Sequence, residues 1–188
     1  MDKYLIDLAT AFLKIDPVRY NMQGINQRNE VYNQDAENNF TSYLVAEFRR
    51  IMEEQNNHYN GLTMDFDIMK LRVNFRPDFV LHENNISRRK QIFIGEVKTS
   101  TRANIGGDLS NLLTAVNKDL RFENAVMMVI NKSYNSTVRE IINFIQENNL
   151  LDSPEIATKI WLFHSKINLT KNLPDFKIEN ILSVYYNN

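Results

Sequence analysis

The sequence predicts an α/β fold in which a mixed central β-sheet is flanked by helices. Three observations predict it. Apolar residues recur at helical spacing within 1–15, 35–55, 105–121 and around 138–145. Short β-branched, aromatic or alternating runs fall at 62–68, 73–82, 91–98, 125–131 and 159–164. From residue 35 the order is helix, three strands, helix, strand, helix, strand, which suits a mixed sheet covered by helices.

Tyr4, Leu5, Leu8, Phe12 and Leu13 give the first 15 residues one apolar side and predict a short amphipathic helix. Residues 16–34, DPVRYNMQGINQRNEVYNQ, are polar and rich in Asn and Gln and read as an irregular connection. Phe40, Tyr43, Leu44, Phe48 and Ile51 mark the next helix, and NNHYNG at 56–61 breaks it, with Gly61 as a stop signal. In LTMDFDI (62–68), Met64, Phe66 and Ile68 alternate with Asp65 and Asp67. VNFRPDFVLH (73–82) and QIFIGEVK (91–98) flank the polar segment ENNISRRK and predict an antiparallel pair with a long loop. Leu109, Leu112, Leu113, Val116 and Leu120 line a helix over 105–121. AVMMVIN (125–131) is too short for a buried helix and reads as a buried strand. Val138, Ile141, Ile142 and Ile145 define another helix, KIWLFH (159–164) another strand, and the tail after Thr170 is ambiguous.

The 188 residues suit a single domain: an N-terminal helix and connection (1–34), a core (35–131), and a C-terminal helix, strand and tail (132–188). No run approaches the roughly 18 apolar residues of a membrane span, and the first residues lack a basic region followed by an apolar stretch, which speaks against a signal peptide. The chain has no cysteine, so disulfides and thiolate zinc sites are excluded and a cytoplasmic location is expected. The net charge is −1, whereas a protein holding duplex DNA mainly through phosphate neutralisation is usually basic. Any nucleic-acid contact therefore needs a local patch or bound cations.

The chemistry concentrates in Arg76-Pro77-Asp78 and Glu96-Val97-Lys98. Residues two apart on a strand share a face, so Glu96 and Lys98 point together and Val97 packs opposite. Asp78 on the facing strand is placed to converge on them. Two close carboxylates repel unless a cation neutralises them, which suits Mg²⁺ or Mn²⁺. Two lysines follow an acid by two positions, the other pair being Asp175 and Lys177. That second pair follows Asn172-Leu173-Pro174, with too few residues after it for a helix and strand, and is set aside. Glu47 lies about 20° from Phe40 around its helix, inside the apolar stripe, where a carboxylate is costly unless paired or liganded. Glu37 at the edge of the same face is its rival.

Pro77-Asp78 followed 18 positions on by Glu96-x-Lys98 resembles the PD-(D/E)XK nuclease superfamily, which includes restriction endonucleases and Holliday-junction resolvases. The resemblance covers roughly residues 35–131 and includes the helix around Asp108-Leu109. It implies a restriction-endonuclease-like fold and metal-dependent hydrolysis of phosphodiesters, in DNA more than in RNA. It also implies Mg²⁺ or Mn²⁺ held by Asp78, Glu96 and the Val97 carbonyl, Lys98 positioning water, and a helical Glu, here Glu47, completing the site. A homodimer is an option, because cutting both strands takes two sites. The alternative is an inactive module of the same fold that binds nucleic acid or a protein.

Other residues carry two readings each. Arg76 contacts phosphate or pairs with Asp65 or Asp67. Arg88 and Arg89, in the loop Ser87–Lys90, contact DNA or are simply solvated. Thr99, Ser100 and Arg102 touch the substrate backbone or form an ordinary turn. His82 shares Asp78's strand face but reads as structural, and His58 and His164 have no supporting context.

Overall fold

The computed structural model describes residues 1–15, 24–25, 31–32, 34–66, 75–84, 90–100, 103–117, 122–166 and 175–188. The N-cap Asp2 accepts the Leu5 amide at 2.9 Å and starts α1 (Lys3–Lys14), which buries Leu5, Leu8 and Phe12. Within the expected connection, β1 (Gly24–Ile25) and β2 (Val31–Tyr32) form a small antiparallel ladder. Helix α2 (Gln34–Glu54) follows, with Phe40, Leu44, Phe48 and Ile51 buried as expected. Tyr43 is instead 37% exposed and Val45 is buried. Because α1 packs against α2, the buried stripe is rotated toward Val45.

A further turn of helix, α3 (Asn56–Tyr59), occupies the expected break, and Gly61 at φ +77° ends it in the left-handed region that glycine adopts freely. Strands β3 (Leu62–Phe66), β4 (Phe79–Glu83) and β5 (Gln91–Lys98) are antiparallel neighbours. The middle strand is shorter than predicted: its ladder starts at Phe79, just after Pro77, which has no N–H to donate. Phe66 is 44% exposed at the end of the edge strand β3.

Helix α4 (Gly106–Val116) then leads to β6 (Asn124–Ile130), parallel to β5. Helix α5 (Tyr134–Glu147), a 3₁₀ turn and α6 (Pro154–Ala157) lead to β7 (Ile160–Lys166), parallel to β6. The ambiguous tail supplies β8 (Asp175–Asn180), antiparallel to β7, and α7 (Ile181–Tyr186). The protein is thus α/β, with a six-stranded mixed sheet in the order β3-β4-β5-β6-β7-β8 and helices on it. The expected helix over 105–121 ends at Val116, and Leu120 lies outside the described residues.

The strand alternation divides the core. Phe93, Val97, Met128, Ile130 and Phe163 join α1 and α2 in one apolar cluster. Val80, Ile94, Met127, Val129 and Leu162 join α4, α5 and α7 in the other. Strands β5, β6 and β7 run the same way, so their carboxyl ends share one edge of the sheet, where open α/β sheets commonly bind ligands. Among the described residues no helix is long and apolar enough to cross a membrane.

Candidate functional site

Strand β5 ends at that edge with Glu96 and Lys98 on the α4 side and Val97 buried on the other, as the alternation predicts. The register that pairs Phe79 with Gly95 puts Asp78, one residue earlier, beside Glu96. Gly95 makes this approach close. A Cβ there would lie 1.9 Å from Phe79 Cζ, so the fully buried ring occupies the space that any other residue would need. The Asp78 N–H donates to the Gly95 carbonyl at 3.1 Å, and the Val97 N–H donates to Asp78 Oδ2 at 2.6 Å. In an antiparallel pair both backbone groups of one residue address the same neighbour, so the Val97 carbonyl is turned to the Asp78 side as well.

Asp78 and Glu96 lie close enough for the charge of Asp78 to act on Glu96. Burial first, then the negative charges of Asp78 and Asp108, push the Glu96 carboxyl up to about 9. Burial also raises Asp78, against the opposing pull of the Val97 amide and Lys98. Each carboxyl thus makes it harder for the other to ionise. Lys98 Nζ lies 3.5 Å from Asp108 Oδ2 and 3.6 Å from Glu37 Oε2. Burial alone would lower Lys98, but Asp108, Glu37, Asp78 and Glu96 outweigh it and hold the ammonium above its ordinary range. Burial raises Asp108 too, with Lys98 opposing.

Four carboxyls thus surround one ammonium, an excess of negative charge that suits a cation. Among the described residues no three His, Cys, Asp or Glu side chains are arranged to hold a metal ion. Asp78 and Glu96 offer two, and Asp108 and Glu37 are turned to Lys98. Two carboxylates with a nearby backbone carbonyl are a hard oxygen set. That set fits Mg²⁺, which keeps several waters and commonly takes only one or two protein carboxylates. It lacks the Cys and His ligands that close a structural zinc site.

The structure does not bring Glu47 to this cluster. It pairs with Arg50 at 3.2 Å, and Arg50 also bonds Glu54, on a half-exposed face of α2. Ten residues of helix separate it from Glu37, roughly 15 Å along the axis. Glu37 reaches Lys98, so the rival occupies the place expected of Glu47. Thr99 is 4% exposed, and its hydroxyl is buried without a hydrogen-bond partner. Arg76 is exposed and Ser100 half-buried beside the site, whereas Arg88, Arg89 and Arg102 lie outside the described residues. His82 Nε2 meets Asp65 Oδ2 at 2.9 Å and its Nδ1 meets the Glu83 carbonyl at 2.8 Å, so both nitrogens are engaged structurally. His58 stacks on Tyr4. Asp175 and Lys177 do lie on a strand, but it is the sheet's edge, and Lys177 Nζ sits 3.7 Å over the Tyr134 ring.

No protein-family model matches the chain, and the comparisons with curated proteins and with solved structures also found no match.

Proposed function

We propose that the chain is a metal-dependent nuclease of the PD-(D/E)XK kind, with a restriction-endonuclease-like fold, hydrolysing phosphodiester bonds in DNA rather than RNA. The observation that carries this reading is the convergence of Asp78, Glu96 and Lys98 at one sheet edge, where the register sets Asp78 beside Glu96 and Lys98 lies among carboxylates. The order of elements supports it too: Asp78 immediately precedes β4 and Glu96 lies on its antiparallel neighbour β5, followed by α4 and the parallel strand β6. DNA is preferred because the restriction endonucleases and resolvases that the motif resembles act on it.

Asp78 and Glu96 hold the cation. When bound, Mg²⁺ or Mn²⁺ supplies charge neutralisation at the phosphate and eases deprotonation of the attacking water. Lys98 orients that water and offsets charge developing on the phosphate oxygens. Asp108 and Glu37 hold the Lys98 ammonium from two sides and keep it protonated.

A module that binds nucleic acid or a protein without turnover is the second reading. The observation favouring it is that no third carboxylate joins Asp78 and Glu96 in a ready metal-holding group among the described residues. Incubating supercoiled plasmid with the protein and Mg²⁺ or Mn²⁺ separates the two. Nicking or linearisation by the wild type and none by Lys98→Ala is expected. Equal cleavage by both overturns the assignment of the site, and binding that survives EDTA, without cleavage in either metal, selects the module.

A further inference from the structure

Lys132 is only 4% exposed, although it carries a charge and stands just past the carboxyl end of β6. Its backbone is pinned on both sides. Asn131 before it adopts the left-handed conformation (φ 69°) that Asn tolerates, and donates its N–H to the Ser165 carbonyl at 2.9 Å. The Lys132 carbonyl accepts from His164 Nε2 at 2.9 Å, which fixes the proton of that buried imidazole on Nε2. The Lys132 ammonium donates to the Ala103 carbonyl and to Glu140 on α5. The other Glu140 oxygen accepts the Ile105 N–H at 3.1 Å.

Both anchor points, Ala103 O and Ile105 N, belong to the one connection that leads from Lys98 into α4. Ile105 precedes the first residue of α4, and Asp108 in the first turn is the carboxylate 3.5 Å from Lys98. Burying an ion pair gives little net stability compared with apolar residues of similar volume. What the pair does supply is a fixed location for two backbone atoms, one turn of helix away from the group that holds Lys98.

We propose that Lys132 and Glu140 are positioning residues for the candidate site, clamping the β5–α4 connection so that Asp108 holds Lys98 in its working place. This rests on the nuclease reading of Asp78, Glu96 and Lys98. Lys132 and Glu140 act through the backbone at 103–105.

The test uses the full chain carrying Lys132→Met together with Glu140→Gln. The pair of changes strands no buried charge, and glutamine keeps an acceptor for the Ile105 N–H. Amide hydrogen exchange is followed at Ala103, Asn104 and Ile105 and, as the internal reference, at Val126–Val129 in β6. Exchange at the connection is expected to quicken roughly tenfold or more, with the β6 amides unchanged. In plasmid nicking with Mg²⁺, kcat is expected to fall roughly tenfold while KM stays within about twofold. Unchanged exchange at 103–105, equal loosening of the β6 amides, or a rise in KM with kcat intact would each overturn the proposal. If the wild type does not nick any plasmid, the nuclease reading fails by itself. The exchange comparison, which needs no turnover, still decides for or against the clamp.

Discussion

The Val97 N–H donates to Asp78 Oδ2 at 2.6 Å, so the acid at the head of β4 is held by the backbone of the residue between Glu96 and Lys98. One hydrogen bond thus ties the two halves of the motif together. It also separates the structural role of Asp78 from its charge. In Asp78→Asn the amide oxygen still accepts from Val97 and the NH₂ group donates to Glu96, so thermal stability is expected to hold or rise while cleavage is lost. In Asp78→Ala the part-buried Val97 N–H loses its partner, at a cost of about 1–3 kcal/mol. Thermal unfolding of the two variants checks this, and equal destabilisation of both would contradict it.

Glu96 destabilises the fold as pH rises. Burial, then the charges of Asp78 and Asp108, push its folded-state carboxyl up to about 9 from an ordinary 4.5, so between those values the unfolded chain releases a proton that the folded chain retains. With fewer protons bound in the unfolded state, stability falls as pH rises through this window. Glu96→Gln removes the penalty and keeps a donor for Asp78. In metal-free buffer the variant is expected to match the wild type near pH 4.5 and to exceed it in Tm by a margin that widens toward pH 9. A gain independent of pH, or a loss at pH 8, would show that the burial of Glu96 is not the cause.

Local pattern made much of this legible. β5 was readable over its whole length because QIFIGEVK is bounded by polar segments, and a period of two alone places Glu96 and Lys98 together. The fate of Glu47 was not readable. Its angle around α2 resembles that of the core residues, but its height along the axis relative to the end of β5 is a tertiary fact, and Arg50 within one turn offers a local partner. The tail carries a local signal of its own: Phe176 and Ile178 alternate and pack on the α1–α2 cluster as β8. The Lys132–Glu140 pair had none. Its members are eight positions apart across a strand end and a helix, and nothing in their spacing announces a contact with Ala103.

Gly95 lets Phe79 lie across β5 and thereby brings Asp78 level with Glu96. In Gly95→Ala the new Cβ meets the ring at 1.9 Å, inside a core where Phe79 is fully buried and cannot swing out. Overpacking of this kind costs about 1–3 kcal/mol. A lower denaturation midpoint with an unchanged m-value is the expected result. Gly95→Ala/Phe79→Leu, which vacates the space, should recover part of the loss, and failure to recover any would place the strain elsewhere.

The two helical glutamates make opposite predictions. Glu37 Oε2 stands 3.6 Å from Lys98 Nζ, with 31% of its side chain exposed, so Glu37→Gln removes one of the carboxylates that hold the ammonium above its ordinary range. Lys98 should then lose its proton at a lower pH, and the alkaline limb of the pH–rate profile for plasmid nicking should move to lower pH. Glu47 is bound to Arg50 roughly 15 Å along the helix from that cluster, and exposed pairs of this kind contribute only about 0.2–1 kcal/mol. Glu47→Ala should leave both the rate and the position of that limb unchanged. If Glu47→Ala abolishes nicking while Glu37→Gln does not, then α2 approaches the sheet in another register during turnover, and the assignment of its two acids must be reversed.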